Sequence, residues 1–279
     1  MIVHLIDGTY ELFRHFYGIR RAKKGDPPFG AVRGVLHMTL EMIESGATHI
    51  GVATDHVIES FRNELWPGYK TGEGIEPALW AQFHPLEDAL AAMGVAVWPM
   101  IELEADDALA SAAALAAADA HVDKVSIWTP DKDLGQCVRG DRVVQVDRRS
   151  GRIRNADGVR EKFGVTPELI PDYLALVGDA ADGFPGLPGF GAKTAAALLS
   201  KHGHIEDIPG EGFRLARVLA DNRELALLFR TLATLRDDAP LFASVEELRW
   251  KGPTAEFAKF AERIGAPELI ERAEVSFRA

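Results

Sequence analysis

Near its start the chain carries the stretch IVHLIDG at residues 2–8, which indicates the fold class. The apolar run at residues 2–6 is typical of a buried strand, and the Asp7-Gly8 pair after it favours a turn. Residues 11–17 then show a helical pattern. A strand that passes through a turn into a helix is the repeating unit of α/β proteins.

The alternation of short apolar runs with helical patterns continues to about residue 150. Further strands are predicted at residues 48–53, 95–98, 125–129 and 142–146, and further helices at residues 31–43, 85–93 and 106–118. In the first of these helices, Val32, Val35 and Leu36 recur at the spacing of one helix face. This order predicts an α/β fold with a mostly parallel central sheet flanked by helices.

The chain changes character at about residue 161 and is mainly helical from there, with turns such as GFPGLPGFG at residues 183–191. We therefore expect an α/β core at residues 1–160 and a helical part at residues 161–279. Residues 61–81 fit neither pattern, since Arg62, Trp66, Tyr69 and Lys70 stand there among several glycines and prolines. We interpret them as a mobile excursion above the sheet.

The composition is that of a globular protein, with 47% hydrophobic and 26% charged residues. A single cysteine, Cys137, excludes an internal disulfide framework and fits a reducing compartment. The chain shows no signal-peptide pattern and no apolar run of spanning length, so a soluble, cytoplasmic protein is expected. The net charge of −11 argues against a generic nucleic-acid coat protein, so many of the acids are expected to have a local role.

Three aspartates, Asp7, Asp55 and Asp131, directly follow predicted strands. The carboxyl ends of parallel strands meet at one edge of a sheet, and ligands bind there. For any one of them alone, a turn-forming role is the better interpretation, and we keep that interpretation for Asp147. As a set, they predict a carboxylate cluster.

Other acids stand close together in the sequence. They are Glu104 with Asp106 and Asp107 at the start of a helix, Asp133 beside Asp131, and Asp179 with Asp182. Helix capping, a charged surface turn and a helix-terminating loop are the alternatives for the three groups. Clustered carboxylates repel one another unless cations neutralise them, and Mg²⁺ prefers such oxygen ligands.

Five segments carry a specific resemblance. They are LIDGTYELFR at 5–14, TDHVIESFRNELWPGYK at 54–70, ELEADDALA at 102–110, TPDKDLGQ at 129–136 and GDAADGFPGLPGFGAKTA at 178–195. In these segments the chain resembles the 5′-nuclease family, which includes the N-terminal domain of bacterial DNA polymerase I, phage 5′-exonucleases and eukaryotic flap endonucleases. The resemblance implies a PIN-like fold and metal-dependent hydrolysis of branched or 5′-ended DNA. No polymerase region is present, so a stand-alone member is expected.

The resemblance also implies roles for individual residues. Asp7, Asp55, Glu104 and Asp106 fall on the family's first metal site, Asp131, Asp133 and Asp182 fall on its second, and Asp107 and Asp179 fall on acids that support metal binding from close by. Two Mg²⁺ or Mn²⁺ ions are implied. Arg14 and Lys70 fall on basic residues expected to act in catalysis, and Arg62 falls on a basic residue at the base of the family's arch, expected to contact DNA.

The glycine-rich turn after residue 185 offers a second contact with DNA. Its residues are Gly186, Gly189, Gly191, Lys193 and Thr194, and glycines with helix-start amides suit a phosphate backbone. The alternative is a plain connection between helices. The resemblance favours a helix-hairpin-helix variant with K⁺ bound in some cases. The arch differs from the family pattern, because Glu73 and Glu76 stand where a further basic residue is common.

The function predicted from the sequence is a 5′-3′ exonuclease and flap endonuclease in DNA replication or repair, acting as a monomer on DNA with 5′ flaps, ends or junctions. Two alternatives stay open: a non-catalytic binder of branched DNA, and a nuclease of the same fold that cuts RNA. The complete set of nine acids speaks against the first alternative, and the glycine hairpin speaks against the second.

Overall fold

The structure is a computed structural model that describes residues 1–21 and 27–278. Six strands form one sheet in the order β3-β2-β1-β4-β5-β6. The strands are β1 Ile2–Asp7, β2 His49–Asp55, β3 Ala96–Met100, β4 Lys124–Trp128, β5 Val143–Asp147 and β6 Arg152–Arg154. The first five run parallel, and β6 pairs antiparallel with β5. The predicted mostly parallel sheet is confirmed.

The helices surround this sheet and make up the C-terminal part of the chain. They are α1 Gly8–Arg21, α2 Gly30–Glu44, α3 Arg62–Leu65, α4 Pro77–Trp80, α5 Phe83–Ala92, α6 Ala105–Ala118, α7 Ala156–Phe163, α8 Ile170–Val177, α9 Ala192–His202, α10 Ala216–Asp221, α11 Arg223–Ala233, α12 Phe257–Arg263 and α13 Glu268–Arg278. Short 3₁₀ helices lie at Asp133–Cys137, Pro167–Leu169, Ile205–Asp207 and Val245–Leu248.

The core has two layers, one on each face of the sheet. On one face Ile6 and Val52 pack against α1, α2, α5, α12 and α13. On the other face Leu5 and Ile127 pack against the alanine-rich α6. Both faces of the central strands are therefore buried, which explains why the strands read as nearly continuous apolar runs. A third apolar cluster holds the helical part together.

The strand order reverses between β1 and β4, and this reversal positions the site. The chain builds the sheet outward from β1 to β2 and β3, and then returns to the other side of β1 with β4. In open α/β sheets, the crevice for ligands lies at such a reversal, outside the carboxyl ends of the strands. Asp7 ends β1, and Asp131 follows β4. Both acids therefore flank the crevice.

Residues 61–81 differ from the predicted irregular excursion. They contain the short helices α3 and α4, and Arg62, Tyr69 and Leu79 are 1%, 4% and 0% exposed. Their first half is fixed to the turn that carries Asp182, because the Lys70 amide donates to the Asp182 carbonyl at 3.0 Å. Glycine and proline suggested loose structure here, but tertiary contacts decide the conformation.

All six strands lie before residue 155, and the described chain from residue 156 onward is helices and loops. In the part of the chain that the structure describes, no helix is both long and apolar enough to span a bilayer. Strand β6 was not predicted, since its sequence Arg-Ile-Arg lacks an apolar run.

Candidate active site

The ends of β1 and β2 place two aspartates side by side at the crevice. The Asp7 carboxylate accepts hydrogen bonds from the Tyr10 amide at 2.8 Å and from the Thr129 hydroxyl at 3.0 Å. The Asp55 carboxylate accepts from the Ala105 amide at 2.8 Å, which ties β2 to the start of α6. Both carboxylates are therefore oriented by neighbouring strands and helices.

The start of α6 brings Glu104 to the same crevice. As N-cap of this helix, Glu104 takes part in a reciprocal capping box with Asp107. Its Oε1 accepts from the Ser60 hydroxyl at 2.8 Å and from Arg62 Nη1 at 3.0 Å. Its Oε2 lies 2.6 Å from Lys70 Nζ. Both carboxylate oxygens are thus held by residues 60–70.

A second group of acids lies beside the first. Carboxylate oxygens of Asp133, Asp179 and Asp182 lie within 4.8 Å of one another, and all three residues are buried. Lys132 Nζ contacts Asp179 at 2.5 Å, and Lys70 Nζ contacts Asp182 at 3.1 Å. Lys70 therefore bridges Glu104 of the first group and Asp182 of the second.

The acids raise one another's pKa. Burial, followed by the charges of Asp55 and Asp131, raises the pKa of Asp7 to about 7. Burial raises the pKa of Asp106 well above its ordinary value, and Asp131 and Asp7 add to this shift. Burial also raises the pKa of Asp133, together with Asp131 and Asp182. Asp131 acts on both groups, so the two groups form one electrostatic cluster.

Glu104 differs from these acids because cations surround it. Burial alone would raise its pKa, but Lys70 and Arg62 together outweigh this effect, and the pKa of Glu104 is lowered. The pKa of Lys70 lies well above its ordinary value, because Glu104 and Asp182 outweigh the effect of burial on its ammonium group.

The donor set fits divalent metal ions. Asp133 Oδ1 is buried and has no hydrogen-bond partner, although a buried polar atom normally has one. A hard cation with oxygen ligands would satisfy this atom and offset the repulsion between the carboxylates.

Asp107 and Arg62 lie beside the acid cluster and are both buried. The Asp107 carboxylate accepts four hydrogen bonds, two from Arg62, one from the Glu104 amide and one from the Arg236 amide. These fill the acceptor positions of a carboxylate, so Asp107 contacts the acid cluster through Arg62 and the Glu104 amide. Arg62 is 1% exposed and its guanidinium group is enclosed by protein acceptors, which speaks against the predicted contact with DNA. The sequence motif shows that Arg62 and Asp107 are charged, but it does not show that both are buried.

The two residues predicted to act in catalysis lie in different surroundings. Lys70 is part of the acid cluster, as described above. Arg14 lies seven residues after Asp7, hence about two helical turns along α1. It contacts Glu11, which is buried, and His15. The structure thus brings Lys70 directly to the carboxylates, while the contacts of Arg14 are within its own helix.

The glycine hairpin joins α8 to α9. Gly186 is buried with φ +68°, and a Cβ there would stand 2.4 Å from the Gly178 amide nitrogen. Gly186 therefore has a structural role in the turn. Gly189, Gly191 and Lys193 are exposed, and Thr194 is half-buried. Those four remain available to a partner.

Several supporting residues escaped the sequence analysis. Thr129 donates to Asp7 and accepts from the Asp131 amide at 3.3 Å. Gln145 donates to the Asp131 carbonyl at 2.5 Å, and Gln136 donates to the Asp133 carbonyl at 2.9 Å. Lys132, inside the TPDKD segment, neutralises Asp179. The alternation of acids and lysine in that segment signals Lys132, but nothing in the local sequence signals the two glutamines.

Comparison with known families agrees with this arrangement. Residues 2–164 match the 5′-3′ exonuclease N-terminal resolvase-like domain, and residues 165–256 match the 5′-3′ exonuclease C-terminal SAM fold. Together the two matches cover the sheet and most of the helical part.

Comparison with individual proteins also gives 5′-3′ exonucleases and related proteins. The 5′-3′ exonuclease of Buchnera aphidicola is 32% identical over 92% of this chain and 89% of its own length. DNA polymerase I of Pseudomonas aeruginosa is 36% identical over 88% of this chain, which spans only 28% of that protein. The fold is similar to that of the bacteriophage T5 flap endonuclease, which was solved as a pseudo-enzyme-product complex with DNA and metal ions. The TM-score is 0.66 at 21% sequence identity, and the match covers 100% of this chain and 98% of that chain. The chain belongs to the 5′-3′ exonuclease family.

Proposed function

We propose that this protein is a metal-dependent 5′-3′ exonuclease and flap endonuclease that hydrolyses phosphodiesters in 5′-ended or branched DNA. One observation carries the proposal: two groups of carboxylates, most of them buried or half-buried, meet at the strand-order reversal, and Lys70 links them. In this proposal residues 1–160 form the nuclease core, with an arch at about 61–81, and residues 161–279 form a DNA-binding part. The protein would act as a monomer in the cytoplasm, in DNA replication or repair.

The carboxylates would hold two Mg²⁺ or Mn²⁺ ions. Asp7, Asp55, Glu104 and Asp106 form the proposed first site, and Asp131, Asp133 and Asp182 form the proposed second, with Asp179 beside it. When bound, such ions supply a hydroxide for attack on the phosphate and stabilise the leaving oxygen. Thr129 holds the Asp7 carboxylate, and Gln145 and Gln136 hold the backbone carbonyls of Asp131 and Asp133.

Positive side chains would stabilise charge on the scissile phosphate. Lys70 is the stronger candidate, because its ammonium group lies within the acid cluster and its side chain is 28% exposed. Arg14 would add charge from the face of α1. Fixed cations aimed at the developing negative charge stabilise the transition state.

The hairpin between α8 and α9 would hold duplex DNA through its backbone. Helix α9 begins at Ala192 after the N-cap Gly191, which offers no side-chain cap, so the first amides of the helix can bind a phosphate oxygen. Lys193 and Thr194 lie in its first turn. Contacts of this kind fix the position of DNA without reading its sequence. The exposed turn before α9 is also the proposed place of a K⁺ ion.

Cleavage of labelled flap substrates tests the proposed function. A 5′-labelled flap duplex would be incubated with the protein and Mg²⁺, Mn²⁺ or EDTA, beside a duplex whose flap is RNA of the same sequence. We expect metal-dependent release of short 5′ products from the DNA flap. Binding without cleavage would support the non-catalytic binder, and faster cleavage of the RNA flap would support the RNA-directed nuclease.

A further inference from the structure

Arg62 has every one of its guanidinium donors engaged inside the protein. Its Nε donates to the Leu232 carbonyl at 2.8 Å, and its Nη2 donates to Asp107 Oδ1 at 2.7 Å and to the Thr234 carbonyl at 3.1 Å. Its Nη1 donates to Asp107 Oδ2 at 2.7 Å and to Glu104 Oε1 at 3.0 Å. These contacts use all five donors that an arginine offers. The side chain is therefore fully satisfied without any ligand.

The acceptors belong to two segments that are distant from Arg62 in the sequence. Glu104 and Asp107 stand at the start of α6, and Leu232 and Thr234 belong to residues 232–236, which we call the return segment. Asp107 also accepts from the Arg236 amide at 2.8 Å. Arg62 itself begins α3, at the base of the arch. One side chain thus joins the arch, the start of α6 and the return segment.

The return segment is held from a second side by Gln136. The Gln136 amide donates to the Ala233 carbonyl at 3.0 Å and accepts from the Leu235 amide at 3.0 Å. The same Gln136 donates to the Asp133 carbonyl at 2.9 Å. The return segment is therefore linked to both groups of carboxylates, to Glu104 through Arg62 and to Asp133 through Gln136.

We propose that Arg62 is a positioning residue that acts through Glu104 and orients this carboxylate for binding a divalent metal ion. The inference rests on the proposed function, in which Glu104 is a ligand of the first metal site. Nη1 contacts both Glu104 and Asp107, so one nitrogen separates and neutralises two buried carboxylates. Removing Arg62 from this buried network leaves the Glu104 and Asp107 carboxylates unpaired, and their like charges would then repel each other. Oε1 of Glu104 would then lose its charged donor and keep the Ser60 hydroxyl.

This role differs measurably from contact with DNA. A residue that binds a DNA phosphate contributes about 0.9 to the slope of log affinity against log salt. A residue that orients a metal ligand changes metal affinity instead, by about 10–100-fold in cases of this kind. The two roles can be separated in one protein with two titrations.

The experiment compares Arg62→Met with Lys193→Ala, which removes an exposed cation of the hairpin. Mn²⁺ binding is measured calorimetrically in the absence of DNA, and flap-duplex affinity is measured in Ca²⁺ at several salt concentrations. We expect Arg62→Met to weaken Mn²⁺ binding about 10-fold or more and to leave the salt slope at the wild-type value. Lys193→Ala should lower the salt slope by about one and leave Mn²⁺ binding unchanged.

Two results would overturn the proposal: wild-type Mn²⁺ affinity in Arg62→Met, or a salt slope lowered as in Lys193→Ala. Circular dichroism checks that the variant folds. If it does not, Asp107→Asn takes its place, since the amide keeps the shape but loses the charge that holds Arg62. Wild-type Mn²⁺ affinity in folded Asp107→Asn contradicts the proposal equally. The Mn²⁺ titration needs no cleavage, so its outcome is separate from that of the proposed nuclease activity.

Discussion

At the scale of single residues, the metal centre depends on carboxylates that would be unfavourable in isolation. Burial and mutual repulsion raise the pKa of Asp7 to about 7, and Asp131 contributes to this shift. Asp131 also acts on Asp106 and Asp133, and so it belongs to both groups. It is the residue whose loss should affect both metal sites at once.

Asp131→Ala should therefore nearly abolish cleavage and leave flap binding largely intact. We expect the rate constant for cleavage of bound substrate to fall about 100-fold or more, as for loss of a major charge-stabilising group. This rate constant would be measured in single-turnover reactions at saturating enzyme, with flap affinity in Ca²⁺ as the control. Cleavage close to the wild-type rate would show that Asp131 does not belong to the centre.

Some residues of the candidate site could be predicted from the sequence, and the surroundings of others could not. Asp7, Asp55 and Asp131 could be predicted to meet, because each follows a strand of a parallel sheet. The burial of Arg62 and Asp107 could not be predicted, because each has the same charge whether it faces solvent or is buried. Only the tertiary structure shows that these two residues pair with each other and that both also contact the return segment.

At the scale of elements, the hairpin before α9 offers a test free of strain. Gly191 has φ −101° and ψ 169°, a conformation open to any residue, and an added Cβ would meet nothing within 4 Å. Gly191→Val should therefore leave the fold intact. If duplex DNA approaches the backbone here, the added side chain should weaken duplex binding several-fold. Unchanged duplex affinity would indicate that the hairpin is a plain connection between helices.

The base of the arch and the turn after α8 form a second testable contact. Gly183 has φ +83°, and a Cβ there would stand 1.9 Å from the Gly68 carbonyl oxygen. Gly183→Ala should destabilise the fold by about 1–2 kcal/mol from backbone strain alone, and displace Lys70 from Asp182. The Tm measured by thermal denaturation and the kcat should both fall. An unaltered kcat with lowered stability would separate the arch contact from catalysis.

Elements with a strong local signal were predicted, and elements fixed by tertiary contacts were not. The five parallel strands each carry an apolar run, and the structure places strands at all five. Strand β6 pairs only with β5 at the edge of the sheet, and its sequence alternates arginine with one isoleucine. Residues 61–81 owe their conformation to contacts with α6 and with the turn at Asp182, which lie far away in the sequence.

At the scale of the whole molecule, metal binding should be coupled to stability and pH. The pKa of Asp7 is raised above that of an unfolded aspartate, mainly by burial, so the folded state binds a proton that the unfolded state releases. Between the unfolded pKa and about 7, the metal-free protein therefore loses stability as pH rises. Divalent ions bind the deprotonated carboxylates and reverse this loss.

Mg²⁺ should accordingly raise Tm more at pH 8 than at pH 6. The measurement is thermal denaturation at both pH values, with saturating Mg²⁺ and with EDTA. Asp131→Ala is the matched control, and its Mg²⁺-induced shift should be smaller at pH 8. A Mg²⁺-induced shift that is equal at the two pH values, or greater at pH 6, would contradict the account of the carboxylate cluster.

We expect this chain to cut DNA near 5′ ends with metal ions held by the carboxylate cluster. The measurement is the product length from a 5′-labelled flap duplex, with Mg²⁺ or EDTA, for the wild type beside Asp131→Ala. Short 5′ products at or near the flap junction are expected for the wild type with Mg²⁺, and uncut substrate is expected in the other reactions. Cleavage that persists in EDTA, or that Asp131→Ala retains, would contradict this expectation.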